Sequence, residues 1–438
     1  PVHPARMRPS IGIDFGTTNS VVAALRPDGS VATLAHDAGA VFRSVLCLWL
    51  AQGGQGGGKA GGTRHAAGPA AIEAYLEDPL ASRLIMSMKS YLAQRSFRET
   101  RIHGRAWTLE ALVAAFLREL LGPFAADLAG ARVVVGRPVR FAGETADDGF
   151  GEERLRAAFA AAGLPEVQVA LEPAAAGHRF AAGLDRPATV LVGDMGGGTS
   201  DISLLRFEPG PPRRVTPLGH AGVGIAGDAL DYRIIDRVVS PRLGKGDQYR
   251  VWGKPMPIPV GWYLSFARWH QLSLMRAPKV LADIAEVART AEHPEKLRHL
   301  VMLVEEEAGY ALYRAVSGVK AALSRADTAM LDFRHEEFAV QAAVARAEFE
   351  AWIAADLAQM DAAVEAALAD AGLAAAAVDR VFLTGGTSLV PAVRALFERR
   401  FGAERIAGGG EFVSVAEGLA LMGAEDAAPP QAPQAAPL

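Results

Sequence analysis

Ile11-Gly-Ile-Asp-Phe-Gly-Thr-Thr-Asn-Ser20 decides how this chain is read. An apolar run ends on Asp14, breaks at Gly16-Thr17-Thr18 and resumes at Val21-Val-Ala-Ala-Leu25, which spells strand, tight polar turn, strand. The same pattern returns at Val190-Leu-Val-Gly, Asp194-Met-Gly196-Gly197-Gly198-Thr199-Ser200-Asp201 and Ile202-Ser-Leu-Leu205, with Asp194 standing 180 positions after Asp14. A hairpin repeated at that interval predicts a chain of two related halves, because solenoid repeats have far shorter periods.

The turns have a chemistry of their own. Consecutive backbone N–H groups in a tight turn can cradle a phosphate, and glycine lets the backbone come that close. Gly16, Gly196, Gly197 and Gly198 supply the turns, and Thr17, Thr18 and Thr199 add hydroxyl donors. Asp14 and Asp194, at the strand ends, repel phosphate oxygens by themselves and make sense as holders of Mg2+ through water. Taken singly, either hairpin is equally an ordinary turn. Two facing copies predict a grip on one polyphosphate from both sides.

Around the hairpins each half reads as mixed α/β layers. Leu109, Leu112, Val113, Phe116, Leu117 and Leu120 recur at helical spacing and stop at Gly122-Pro123, ahead of a short buried strand at Arg132-Val-Val-Val135. Val381-Phe-Leu383 is a strand, Thr384-Gly385-Gly386-Thr387 a turn, and Val390 to Phe397 a helix opened by Pro391. Three segments look peripheral: the glycine-dense 52–62, expected to be a mobile loop; 241–262, rich in Gly and Pro and expected to be irregular; and the Ala/Pro/Gln tail 427–438, expected to be disordered.

Composition narrows the classes. The chain has 438 residues, 50% apolar and 21% charged, which suits two or three domains or one two-lobed unit. Its net charge of −4 argues against nucleic-acid binding, and a single cysteine, Cys47, excludes an intrachain disulfide and multi-cysteine metal sites. No apolar run is long enough to cross a bilayer and residues 1–9 lack a signal-peptide core, so a soluble cytoplasmic protein without a membrane partner is expected. Only seven lysines stand among the 45 basic residues, so a lysine at a special position is informative.

Other motifs have plainer explanations. Gly53 to Lys59 has the spacing of a P-loop, but Ala60 stands where Ser or Thr would bind Mg2+. Gly222-Val-Gly224-Ile-Ala-Gly227 matches a dinucleotide fingerprint without a buried strand before it, and reads as a turn entering a helix at Asp228. Glu172, between a β-like stretch and an Ala-rich helix, is a helix-capping candidate. No zinc-binding His pair and no Ser nucleophile elbow occur, and Phe266, Trp269 and Leu272 read as a packing face.

Taken together, Gly12 to Ser20 resembles the first phosphate motif of the DnaK-type heat shock protein 70 family, within the actin-like ATPase superfamily. Asp194 to Asp201 resembles the second phosphate motif, Glu172-Pro-Ala-Ala-Ala the first connecting segment, Leu383 to Pro391 the adenosine segment and Val413 to Ala420 the second connecting helix. Within that family, Val135-Gly-Arg-Pro-Val139, Gly253-Lys-Pro-Met-Pro-Ile and Tyr310-Ala-Leu-Tyr-Arg resemble the YegD-like proteins, which keep the ATPase unit without a peptide-binding domain.

The resemblance implies an actin-like ATPase fold: two α/β lobes with ribonuclease-H-like cores and nucleotide in the cleft between them. Lobe I would span 8–183 with an inserted subdomain at about 43–108, and lobe II 184–422 with an insertion at about 228–345, before a tail at 423–438. The hinges would lie at about 172–183 and 413–422. It implies ATP or ADP with Mg2+ as cofactor, K+ being a second candidate cation. Lys89 would reach the γ-phosphate, Glu172 would place the attacking water, and Thr17 and Thr199 would contact terminal phosphates. Asp14, Asp194 and Asp201 would surround Mg2+ and its waters. Lys320 and Ser324 would meet ribose and base, and Gly227, Gly385, Gly386 and Thr387 the nucleoside. Leu389, Ser317 and Ala226 depart from the family, which has an arginine stacked on adenine, a glutamate and a glycine at those places. The expected function is slow ATP hydrolysis by a chaperone-like protein whose lobe motion is read by a partner protein or co-chaperone. A nucleotide-binding scaffold without turnover, an actin-like filament protein and a small-molecule kinase remain as alternatives.

Overall fold

The computed structural model describes residues 9–37, 39–50, 62–78, 81–142, 145–181, 184–209, 214–408 and 413–425. The expected mobile loop, apart from Gly62, the P-loop-like run and the expected disordered tail lie outside the described residues.

The first half is built on strands β1 (Ser10–Phe15), β2 (Asn19–Leu25), β3 (Val31–Leu34), β4 (Arg132–Arg137) and β5 (Val167–Leu171), in the spatial order β5-β4-β1-β2-β3. Strand β1 pairs antiparallel with β2 and parallel with β4, with Ile11 opposite Val133 and Ile13 opposite Val135. The second half repeats this connectivity with β6 (Ala188–Met195), β7 (Ser200–Glu208), β8 (Arg214–Val223), β9 (Arg380–Thr384) and β10 (Ile406–Gly408), ordered β8-β7-β6-β9-β10. Every residue of β6 is buried, as expected of a central strand covered on both faces. The two halves foreseen from the repeated hairpin are thus two sheets of one topology, and the fold is the α/β actin-like one.

Among the described residues the sheets are framed by helices α1 (Leu109–Leu121), α2 (Asp148–Ala161), α3 (Glu172–Ala181), α4 (Gly227–Ile234), α5 (Gly309–Leu323), α6 (Ala354–Asp370), α7 (Pro391–Phe401) and α8 (Ser414–Glu425). Thr108 caps α1 by accepting from the N–H of Ala111 at 3.2 Å, and the apolar stripe from Leu109 to Leu120 is buried against the first sheet. Gly122-Pro123 does not break the chain after α1. It tightens into a 3-10 turn, where proline needs no N–H partner.

Two helices cross over. The terminal helix α8 packs on β1 and β2 of the first sheet, whereas α3, which closes the first half, packs on β6 and β7 of the second. They meet where a Cβ on Gly418 would lie 1.7 Å from the carbonyl oxygen of Ala175, so only glycine lets the two backbones touch. Ala175, Ala176, Val415 and Leu419 form a shared core with Val190 and Val192.

Each half carries an insertion. In the first, strands Thr63–Ala67, Val45–Leu50 and Ser82–Met86 form a small sheet in that order, with Cys47 fully buried in its middle strand. In the second, helices Pro278–Ala288 and Pro294–Glu305 lie with the hairpin Thr328–His335/Phe338–Ala345. The insertions meet in a cluster of Val45, Cys47, Tyr75 and Met86 with Tyr310 and Tyr313 of α5. The hydroxyl of Tyr75 donates to the carbonyl of Glu307 across this seam.

Segment 241–262 corrects an expectation. It holds a regular hairpin, Gln248–Val251 paired with Lys254–Pro257, and helix Val260–Ala267 begins just beyond it. Trp252 and Gly253 both take positive φ, 48° and 80°, which a two-residue turn of this twist requires. Among the described residues no helix is long and apolar enough to cross a membrane.

Candidate functional site

The cleft between the halves encloses a cavity of about 420 Å3. It is lined by Asp14, Gly16, Thr17 and Thr18 of the first hairpin and by Asp194, Gly196, Gly197, Gly198 and Thr199 of the second. The register explains the placement: Phe15 opposite Ser20 and Met195 opposite Ser200 close each turn at the same end of its sheet. The turns then face each other. A Cβ on Gly197 would come within 2.2 Å of Thr18 Oγ1, and one on Gly198 within 2.9 Å of Thr17 Oγ1. No other residue type leaves room for that approach.

Lys89 and Glu172 also line the cavity, and their side chains form a buried ion pair. Lys89 sits in a 3-10 turn after the left-handed Ser87, and Glu172 opens α3. The pair draws together the insertion of the first half and the helix leading to the second. Burial alone would lower the Lys89 ammonium, but the carboxylates of Glu172 and Asp14 outweigh it and hold the pKa above the usual lysine value.

Four carboxylates crowd around this one ammonium. Burial, then the charge of Glu172, pushes Asp14 up to about 7. Asp201 is likewise raised to about 7, by burial and then Glu172, and Asp194 stands well above the ordinary range for the same two causes with Asp14 added. Asp201 is the one expected site residue that does not line the cavity: it lies directly opposite Asp194 in the sheet, its Oδ1 accepting from Arg140 N at 3.1 Å. Its Oδ2 is buried with no hydrogen-bond partner among the described residues. Surplus buried negative charge and an orphaned carboxylate oxygen fit a divalent cation with its waters. No group of three or more His, Cys, Asp or Glu among the described residues is arranged to hold a metal directly.

The other end of the cavity is built by the second half. Gly227, Lys320, Ser324, Gly385, Gly386 and Thr387, which the resemblance assigns to the nucleoside, all line it. Thr387 Oγ1 donates to Gly196 O at 2.6 Å and Asp228 N to Gly197 O at 2.8 Å, which fixes the second turn against its surroundings. Lys320 Nζ donates to Gly227 O at 3.0 Å and Asp231 Oδ2 at 2.9 Å. Leu389 and Ser317 stand at the wall.

Sequence reasoning passed over Arg43, Asp228, Tyr313 and Arg325, which line the cavity too. Arg43 Nη1 donates to Asn19 Oδ1 at 3.2 Å, and Tyr313 OH to Asp228 Oδ1 at 3.2 Å. The glycine run ending at Gly227 pointed to Asp228 only as a helix start; for Arg43 no motif gave a signal.

A family model described as Hsp70 protein matches residues 101–243 and 295–425. The chain belongs to the Hsp70 family. Among curated proteins it is 25% identical over 401 residues to the chaperone protein DnaK of Thermotoga maritima, covering 90% of this chain and 55% of that protein. It is 28% identical over 428 residues to a chaperone protein HscA homologue of Verminephrobacter eiseniae, covering 91% and 56%. The DnaK of Thermosipho africanus is 25% identical over 426 residues, covering 94% and 58%. The chain thus spans a little over half the length of these Hsp70 relatives. The family match begins beyond the first hairpin, whose place in the cleft is fixed by its approach to Gly197 and Gly198.

Proposed function

We propose that this Hsp70-family chain binds ATP and ADP with Mg2+ in the cleft and hydrolyses ATP slowly. The observation that carries the reading is the face-to-face approach of Gly197 to Thr18 and Gly198 to Thr17, which lets two turns share one triphosphate. Thr17, Thr18, Thr199 and the turn N–H groups hold the terminal phosphates. Lys320, Ser324, Gly227, Gly385, Gly386 and Thr387 form the nucleoside end.

In this reading Lys89 exchanges its bond to Glu172 for one to the γ-phosphate, and the released carboxylate orients the attacking water. Water adds to the γ-phosphorus in line as the bond to the bridging oxygen breaks, with no covalent intermediate. Asp14, Asp194 and Asp201 would hold Mg2+ and its waters, and the ion when bound neutralises charge on the phosphates. Catalysis by positioning and electrostatics alone fits a low turnover.

Closure on ATP and opening on ADP would be the output, because each nucleotide favours one arrangement of the lobes. A partner protein or co-chaperone would read that motion. The decisive assay compares phosphate release by the wild type, Lys89→Ala and Asp194→Asn. Equal turnover in all three sinks the catalytic reading, and calorimetric ATP binding without phosphate release in the wild type leaves a scaffold.

A further inference from the structure

The hairpin Gln248–Val251/Lys254–Pro257 breaks two rules of a protein surface at one residue. Its turn needs positive φ at Trp252, 48°, a place that Asn or Gly takes without strain and a bulky aromatic does not. The side chain gains nothing inside the fold in return, because Trp252 is 98% exposed. Strain kept without a packing gain points to function.

The apolar surface continues around this tip. Of the exposed large apolar side chains among the described residues, half stand within ten positions: Val251, Trp252, Met256 and Val260. The base of the hairpin is fixed to the second insertion, where Tyr249 pairs with Ala291, Arg250 N donates to Thr290 O at 3.0 Å and Ile258 is buried. An apolar end thus projects from an anchored stem.

Charge selects what meets it. From Gln248 to Ala282 the chain has five Arg or Lys and no Asp or Glu, although acids outnumber bases overall, 49 to 45. Two of these cations flank the turn: Lys254 lies opposite Val251, and Arg250 Nη1 donates to Gly253 O at 3.1 Å. The acids at the base are engaged there, Asp247 accepting from Lys296 Nζ at 2.9 Å and Glu292 from Gln248 N at 3.3 Å. An anionic bilayer is complementary to this arrangement, with headgroups for the cations and an interfacial layer below them in which Trp is favoured. An added protein strand fits less well. The free edge, Lys254–Pro257, would have to offer outward N–H groups, and Pro255 and Pro257 have none. The same lack suits lipid, because an unpaired N–H is costly in an apolar layer.

We propose that the tip of this hairpin is a peripheral membrane anchor, which seats Trp252 in the interface of an anionic bilayer with Arg250 and Lys254 on the headgroups. Such a contact needs no spanning helix. It departs from the expectation of no membrane partner, which rested on spanning and signal segments, and it is independent of the nucleotide reading.

The test is co-sedimentation of the full chain with vesicles of phosphatidylcholine alone and of phosphatidylcholine with phosphatidylglycerol at about two to one. Wild type should bind the anionic vesicles saturably, at least about tenfold more tightly than the neutral ones, and should lose most of that difference in high salt. Trp252→Asn puts before Gly253 the residue that this turn prefers, so the hairpin is kept while the aromatic is lost. It should bind at least about tenfold more weakly, as expected when one large apolar side chain is no longer buried. Lys254→Gln should lose about fivefold, the share of one cation at an anionic surface. Met330→Ala removes another exposed apolar side chain, on the hairpin Thr328–His335/Phe338–Ala345, and should bind as wild type does. No binding to anionic vesicles, equal binding to neutral ones, unchanged binding by Trp252→Asn or an equal loss in Met330→Ala overturns the proposal. So does a wild-type dimer in lipid-free sedimentation velocity that Trp252→Asn abolishes, which would assign the tip to a second copy of the chain.

Discussion

The ammonium of Lys89 and the carboxylate of Glu172, 83 positions apart in sequence, are bonded to each other inside the cleft. Neither is solvated enough to stand alone, so each stabilises the other's charge.

Removing one partner should therefore be worse for the fold than removing both. Lys89→Met leaves Glu172 buried and uncompensated, at an expected cost of about 3 to 5 kcal/mol in denaturant melts, and Lys89→Met with Glu172→Gln should recover most of it. Turnover should fall at least about a hundredfold in both, as it does when a preorganised donor is lost. A double variant no more stable than Lys89→Met contradicts the pairing.

The facing turns predict a steric effect. The Cβ of Gly197→Ala would sit 2.2 Å from Thr18 Oγ1, whereas with Thr18→Ala as background the nearest Thr18 atom is the Cβ at 3.3 Å. Gly197→Ala should weaken binding of a non-hydrolysable ATP analogue by about tenfold, and adding Thr18→Ala should restore a part of it, a coupling of the size found between touching residues. Calorimetry of the four proteins in the cycle decides this.

Asp228 gives a pH dependence. Burial, then the charge of Asp231, raises its pKa from the model-compound 3.8 to about 6. The folded state thus holds the proton more tightly, and its stabilising contribution is full below about pH 4 and lost as pH rises through about 6. Asp228→Asn keeps a side chain that accepts from Tyr313 OH without that loss. Its stability advantage over wild type should grow from pH 4.5 to 7.5, reaching on the order of 2 kcal/mol. Urea melts showing an advantage that shrinks over that range contradict the sign.

Much of this site is legible in the sequence because its chemistry is local. The strand ending on aspartate, the glycine turn and the threonines lie within ten residues, and their spacing alone places them at a sheet end. Arg43, Asp228 and Tyr313 were not legible, since their arrival depends on how the insertions pack on the lobes. The hairpin at 248–257 hid behind its prolines, which suggest a loop; in an edge strand Pro255 and Pro257 need give up no ladder hydrogen bond. Nor could the crossing of α3 and α8 be seen, because alanine and glycine there give no periodic apolar stripe, only small residues that permit contact.

Leu389 offers a gain of function. It is 48% exposed at the cavity wall where the Hsp70 resemblance calls for an arginine. Leu389→Arg should tighten ADP binding by about 1 to 2 kcal/mol through stacking on the base, and leave pyrophosphate binding unchanged. Equal gains for both ligands would show that the new charge acts on phosphate instead.

Cys47 is the chain's sole thiol, itself fully buried in a cluster that includes Tyr310 and Tyr313 from the opposite half. Burial also raises its pKa, which keeps it unreactive while the cluster is intact. The molecule therefore comes with its own opening gauge: the rate at which an alkylating reagent consumes this sulfur should track how often the jaws part, and the rest of the surface is free for fluorophores attached at cysteines of the experimenter's choosing.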